Sequence, residues 1–103
     1  MKTFYLRKDD ADYPDILKQI TEPPDGLYVR GDVSLMHSRC FAVVGSRKAS
    51  RPGLIAAEMI GKRLAECGIT VVSGLAEGVD SAAHKGALSA GGRTIAVLAN
   101  GLD

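Results

Sequence analysis

The chain has 103 residues, 46% of them hydrophobic and 24% charged, with a formal net charge of +1. That size allows one domain at most, the composition is that of a globular and not a disordered protein, and a near-zero net charge by itself assigns no nucleic-acid or membrane partner. No apolar run approaches the roughly 20 residues of a membrane span, and Met1-Lys2-Thr3-Phe4-Tyr5 leads into charge instead of a signal-peptide core, so the expected location is cytosolic.

In chain order, Asp12 is placed to cap a short helix with Pro14 in its first turn and Ile16, Leu17 and Ile20 as its buried side. Thr21-Glu22-Pro23-Pro24-Asp25-Gly26 ends it. Leu27-Tyr28-Val29-Arg30 reads as a short strand closed by Gly31-Asp32, and Val33-Ser34-Leu35-Met36 as a turn or short helix. The acids Asp9, Asp10, Asp12 and Asp15 read as solvent-facing, not as a metal site. Residues 1–36 thus form an N-terminal approach segment, and residues 37–103 a regular repeated unit.

In that unit three apolar runs each feed a glycine-bearing turn. Cys40–Val44 leads into Gly45-Ser46-Arg47-Lys48, Ile69–Val72 into Ser73-Gly74-Leu75-Ala76-Glu77-Gly78, and Thr94–Leu98 into Asn100-Gly101. Between them the spacing predicts a helix from Pro52 to Cys67, with Ala57, Ile60, Gly61, Leu64 and Cys67 on its buried face and Gly68 as its stop. A second helix, Val79 to Ala90, carries a small-residue face (Val79, Ala82, Ala83, Gly86, Ala87, Ala90) suited to close approach to a sheet. The expected fold class is α/β, a Rossmann-like parallel fold of the three-layer αβα type, present as a βαβαβ half with an N-terminal helix and short strand. Cys40 and Cys67 have no metal-ligand spacing and read as buried reduced thiols.

Right-handed crossovers bring all three turns to one sheet edge, where ligands of such folds bind. The charge is uneven: residues 33–63 hold six basic residues against one acid, while the segments on either side are net acidic. At the first turn, Gly45 lets backbone pass close to a ligand, Ser46 and Ser50 offer hydroxyls, and Arg47, Lys48 and Arg51 supply cations. An oxyanion such as phosphate suits that set. The plainer reading is that Gly45 only eases the turn and Ser50 caps the helix. The pattern is neither GxGxxG nor a P-loop, which disfavours ordinary dinucleotide and Walker-type ATP binding. Ser73, Gly74 and Gly78 bring bare backbone to the same rim, and Asn100-Gly101 could meet a base or sugar. Asp80, in the first turn of the second helix, reads as capping that helix or fixing the turn. His84, one helical turn on, suggests an Asp-His pair, with a structural or ligand-orienting role as the plainer reading and a general base as the other.

These residues carry a resemblance. Val43-Val44-Gly45-Ser46-Arg47-Lys48-Ala49-Ser50, then Val71 to Asp80 with Ala83-His84 and Gly86-Ala87-Leu88, then Thr94 to Asp103 are similar to the DNA processing protein A family (DprA, also called Smf). Tyr13-Pro14, Leu17, Ile20, Pro23-Pro24 and Leu27 to Gly31 resemble its preceding segment. The resemblance implies a non-catalytic cytosolic protein, without cofactor or metal, that binds single-stranded DNA in natural transformation and loads the RecA recombinase on it, as a homodimer through the Rossmann-like domain. It maps DNA phosphate contact onto Gly45, Ser46 and Arg47, and the same pocket onto Ser73, Gly74, Leu75, Ala76 and Gly78. The family's domain continues past the third strand, so the chain reads as truncated, with weak DNA binding and a tendency to associate.

Two other classes compete with it. A Rossmann-like nucleoside monophosphate hydrolase would need a catalytic carboxylate, with Glu77 and Asp80 as candidates at the rim. A plain interaction module would use the glycine turns only as structure.

Overall fold

The computed structural model describes residues 2–98, in two compact units, one through His37 and the other from Ser38. The first unit is built on an antiparallel ribbon of β1 (Thr3–Arg7) and β2 (Gly26–Arg30), with Tyr5 opposite Tyr28 and Arg7 opposite Gly26. Between these strands lies a one-turn helix, α1 (Asp15–Lys18), and after them a 3₁₀ turn, Val33–His37.

The expectations for α1 need correction. Pro14 is its N-cap position and no side chain caps it, so Asp12 has no capping role. Ile16 and Ile20 are exposed, because a single turn has no length over which to present an apolar stripe. The unit buries Leu6 of β1 and, fully enclosed, Tyr13, whose hydroxyl donates to the Pro24 carbonyl at 2.7 Å. Burial, and secondarily the Asp25 carboxylate, hold the Tyr13 phenol above its ordinary range.

The second unit is a parallel sheet in the order β3 (Cys40–Ala42), β4 (Thr70–Ser73), β5 (Thr94–Ala96), connected by α2 (Arg51–Glu66) and α3 (Val79–Ser89). Ala42, Val72 and Ile95 share one register row. This is the expected Rossmann-like βαβαβ unit. With sequential strands and the usual right-handed crossover, both helices fall on one side of the sheet, where they pack on each other. The core between the layers is small: Val43, Val71, Ala83 and Ala87, flanked by Leu64, Ala65 and Val79.

So thin a core requires the helices to lie close. A Cβ on Gly61 would overlap the Ala83 carbonyl oxygen, and one on Gly86 the Glu58 carbonyl oxygen. The small-residue face of α3 therefore serves contact with α2 as much as with the sheet. On α2 only Ala57 and Gly61 are buried; Ile60 and Cys67 are exposed, as is Cys40. Buried thiols were the wrong expectation for both cysteines, since Cys67 is the exposed C-cap of α2 and Cys40 opens β3, a strand with one neighbour among the described residues. Gly68, at φ +76°, turns the chain out of α2 as expected.

One outcome tests this packing and another the burial of Tyr13. Gly86→Ala should lower the urea-unfolding free energy by about 1–3 kcal/mol, although alanine is the better helix former by about 1 kcal/mol; a stabilised variant would mean that the helices are not in contact there. A phenol whose folded pKa is raised contributes stability that is present below about pH 10 and is lost as pH rises, because the unfolded chain gives up the proton first. Urea stability should therefore fall above about pH 10, less steeply in Tyr13→Phe.

Candidate functional site

Parallel pairing sends the chain out of β3 and β4 at the same sheet edge, so the Gly45 and Gly74 turns share a rim. The third turn, Asn100-Gly101, lies outside the described residues. One buried side chain joins the two turns that are described. Asp80, in the first turn of α3, accepts the Gly45 N–H on Oδ1 at 3.3 Å and the Gly74 N–H on Oδ2 at 3.1 Å.

His84 holds the same turn from the other side. Its Nε2 lies 2.7 Å from the Gly74 carbonyl oxygen, and since a carbonyl can only accept, Nε2 carries the hydrogen. Its Nδ1 meets the Thr94 hydroxyl, which also lies 3.0 Å from the Val71 carbonyl oxygen. The i,i+4 spacing from Asp80 suggests an Asp-His pair; in the structure the two side chains instead grip opposite ends of the Gly74 residue.

The turns are further stitched at Gly78. At φ +84° it takes a conformation that favours glycine, and a Cβ there would strike the Ser46 and Arg47 carbonyl oxygens. The next residue, Val79, donates its N–H to the Ser46 carbonyl at 3.2 Å. Gly45 serves packing too, because a Cβ would press on the Val79 side chain at 2.9 Å. Its N–H goes to Asp80, so what Gly45 brings to the rim is close contact between turns and not a donor for a ligand.

Other donors are also committed. The Ser50 hydroxyl accepts from Gly53 N–H at 3.2 Å and Pro52 has no N–H, so backbone donors at the start of α2 are few. The Ser46 hydroxyl accepts from Lys48 N–H at 3.1 Å. Ser73 is buried and its hydroxyl donates to the Val43 carbonyl, which leaves the second turn's backbone and not this side chain at the rim. Leu75 and Glu77 are exposed, and Ala76 is half-buried, with its carbonyl accepting from Ser81 Oγ at 2.7 Å.

What stands outward is cationic. Arg47, Lys48 and Arg51 are all exposed, and none is in an ion pair among the described residues. A fixed backbone thus presents three long basic side chains without ion-pair partners among the described residues, suited to gripping an anionic polymer. No group of metal-ligating side chains occurs among the described residues, and no described helix is long and apolar enough to cross a membrane.

The sequence model of the DNA recombination-mediator protein A family matches residues 4–103. Protein Smf of Escherichia coli is 44% identical over 95 residues, 92% of this chain and 25% of its own length. The crystal structure of DNA processing protein A from Streptococcus pneumoniae superposes with a TM-score of 0.92 at 41% identity, covering 99% of this chain and 36% of that one. The Helicobacter pylori DNA processing protein A, whose structure is described as revealing a unique single-stranded DNA binding mode, gives a TM-score of 0.81 at 28% identity over 94% of this chain and 42% of that one. The chain therefore spans about a quarter to two-fifths of the length of these relatives.

The brace makes a sharp prediction about Asp80. An Asp80→Asn side chain has one acceptor oxygen and turns an NH₂ group toward the second N–H, so unfolding free energy should fall by about 2–3 kcal/mol. Affinity for an anionic oligonucleotide should fall with it, despite the loss of a negative charge. Unchanged stability with tighter binding would mean that Asp80 acts only by repelling the ligand.

Proposed function

Because the chain belongs to the DNA recombination-mediator protein A family, we propose that it binds single-stranded DNA, with phosphates held at the Gly45-Ser46-Arg47 turn. The observation that carries this reading is the trio Arg47, Lys48 and Arg51, exposed and without ion-pair partners among the described residues, on a loop braced to the second turn through Asp80 and Val79. The single-stranded DNA binding described for the Helicobacter pylori relative supports the same ligand.

The division of labour is one in which side chains do most of the gripping. The Arg47 guanidinium reaches a phosphate through two parallel N–H donors, while Lys48 and Arg51 add charge along the strand. The backbone of the Gly74, Leu75, Ala76 and Gly78 turn forms the adjoining wall, and Ser46 and Ser50 fix the loop. A binding role is favoured over hydrolysis because both oxygens of Asp80 are occupied by backbone N–H groups, leaving the exposed Glu77 as the other rim carboxylate. Following the family resemblance, the proposal extends to a cytosolic, non-catalytic role in natural transformation, transfer of the bound strand to the RecA recombinase, and a homodimer formed through this domain.

Fluorescence anisotropy with an unstructured oligonucleotide at two salt concentrations tests the reading. With two or three phosphate contacts, log K should fall with log salt at a slope of roughly −1.4 to −2.1, and Arg47→Ala should weaken binding and make the slope shallower by about 0.7. Equal affinity and slope for the two proteins would contradict it.

A further inference from the structure

We propose that the β1–β2 ribbon is a second contact for single-stranded nucleic acid, one that takes bases where the Arg47 turn takes phosphate; it rests on the reading that this chain binds such a strand. The antiparallel register sets Thr3, Tyr5 and Arg7 opposite Arg30, Tyr28 and Gly26, and alternation along each strand puts these six on one face. At its centre stand two tyrosines, 47% and 71% exposed, with ring centroids 4.7 Å apart and planes tilted by 49°.

Glycine shapes this face. A Cβ on Gly26 would overlap the Tyr5 ring, so the ring covers bare backbone of β2, and one end of the platform is fixed while Tyr28 remains open. Arg30, its Nε donating to Thr3 Oγ1 at 3.1 Å, lies at one end. At the other a shallow depression of about 320 Å³ is lined by Tyr5, Arg7, Lys8, Asp9 and Asp25.

The charges select the part of the ligand recognised. Lys8 lies 3.7 Å from Asp25, and Asp9 adds a second carboxylate, so this end is close to balanced and poorly suited to holding phosphate alone. Exposed rings beside guanidinium groups instead suit the flat face of a base, which every nucleotide offers whatever the sequence. Such stacking supplies what the Arg47 turn lacks, since no aromatic residue follows Phe41 in the sequence.

The three tyrosines and the absence of tryptophan give a direct readout, with buried Tyr13 as background. The intact chain is titrated with oligothymidylate and with an abasic oligonucleotide of equal length, following tyrosine emission and anisotropy. Oligothymidylate should quench the emission and the abasic strand should not. Tyr28→Leu, at an exposed position, should weaken oligothymidylate binding about fivefold or more while leaving abasic binding and the far-ultraviolet circular dichroism unchanged. Tyr5→Leu should weaken it in the same direction. Unchanged oligothymidylate affinity in both variants overturns the proposal, and leaves the ribbon as a surface for protein contact. If Arg47→Ala loses affinity while both tyrosine variants keep it, only the ribbon proposal fails. If the tyrosine variants lose affinity while Arg47→Ala keeps it, the ribbon stands and the phosphate reading of the Gly45 turn fails.

Discussion

The Asp80 carboxylate takes one N–H from a residue six positions before it and one from a residue 35 positions before it, and the placement of the whole rim depends on that pair of bonds. A buried carboxylate is costly unless its oxygens are satisfied. Here two backbone donors satisfy them, and its position in the first turn of α3 sets the charge against the positive end of the helix dipole. Hydrogen bonds to a charged group contribute about 1.5–3 kcal/mol each, more than neutral ones. His84 then fixes the carbonyl of the same Gly74 whose N–H Asp80 holds, and Gly78 seats the Ser46-Arg47 backbone directly against the second turn. The result is a rigid loop whose basic side chains stay outward. Preorganisation of this kind lowers the cost of ordering the loop when a ligand binds.

That brace works only if α3 starts at the right place, and its position is set by glycine. Gly61 and Gly86 let the backbones of α2 and α3 touch, and Gly92 lies where a Cβ would overlap the Ala65 side chain. With a core of valines and alanines, little bulk is available to hold the helices by interdigitation, so contact distance replaces side-chain volume. A methyl group added at this seam would displace the N-terminus of α3, and Asp80 with it. Stability and site geometry are therefore the same problem in this unit.

Much of this was legible in the residues. The alternation of apolar runs, amphipathic segments and glycine turns predicts the parallel βαβαβ unit, and a carboxylate early in a helix predicts an Asp80 that caps the helix or fixes the turn, of which the structure shows the second and not the first. Local signals fail where the deciding partner is distant. β1, Thr3-Phe4-Tyr5-Leu6-Arg7, is five residues long with one buried side chain, and it gains its identity from pairing with β2, 19 to 27 residues on. Tyr13 looks like the flank of a helix and is the buried anchor of its unit. Ser73 is read as backbone at the rim, and the partner of its side chain, the Val43 carbonyl just past the neighbouring strand β3, lies 30 residues away and is not legible locally. Ser50 and Pro52 leave few backbone donors at the start of α2, so guanidinium and ammonium groups are what the first turn offers an anion.

The most direct test of the account is amide hydrogen exchange at Gly45 and Gly74, measured by nuclear magnetic resonance on the intact chain. Both residues lie just past strand ends, where loop amides ordinarily exchange fast. If Asp80 braces the rim, both amides should be protected to the same degree as those of β4, and both should lose that protection together in Asp80→Asn. Free exchange at either glycine in the unsubstituted chain would show that no such brace exists, and the shared rim built on it would fall.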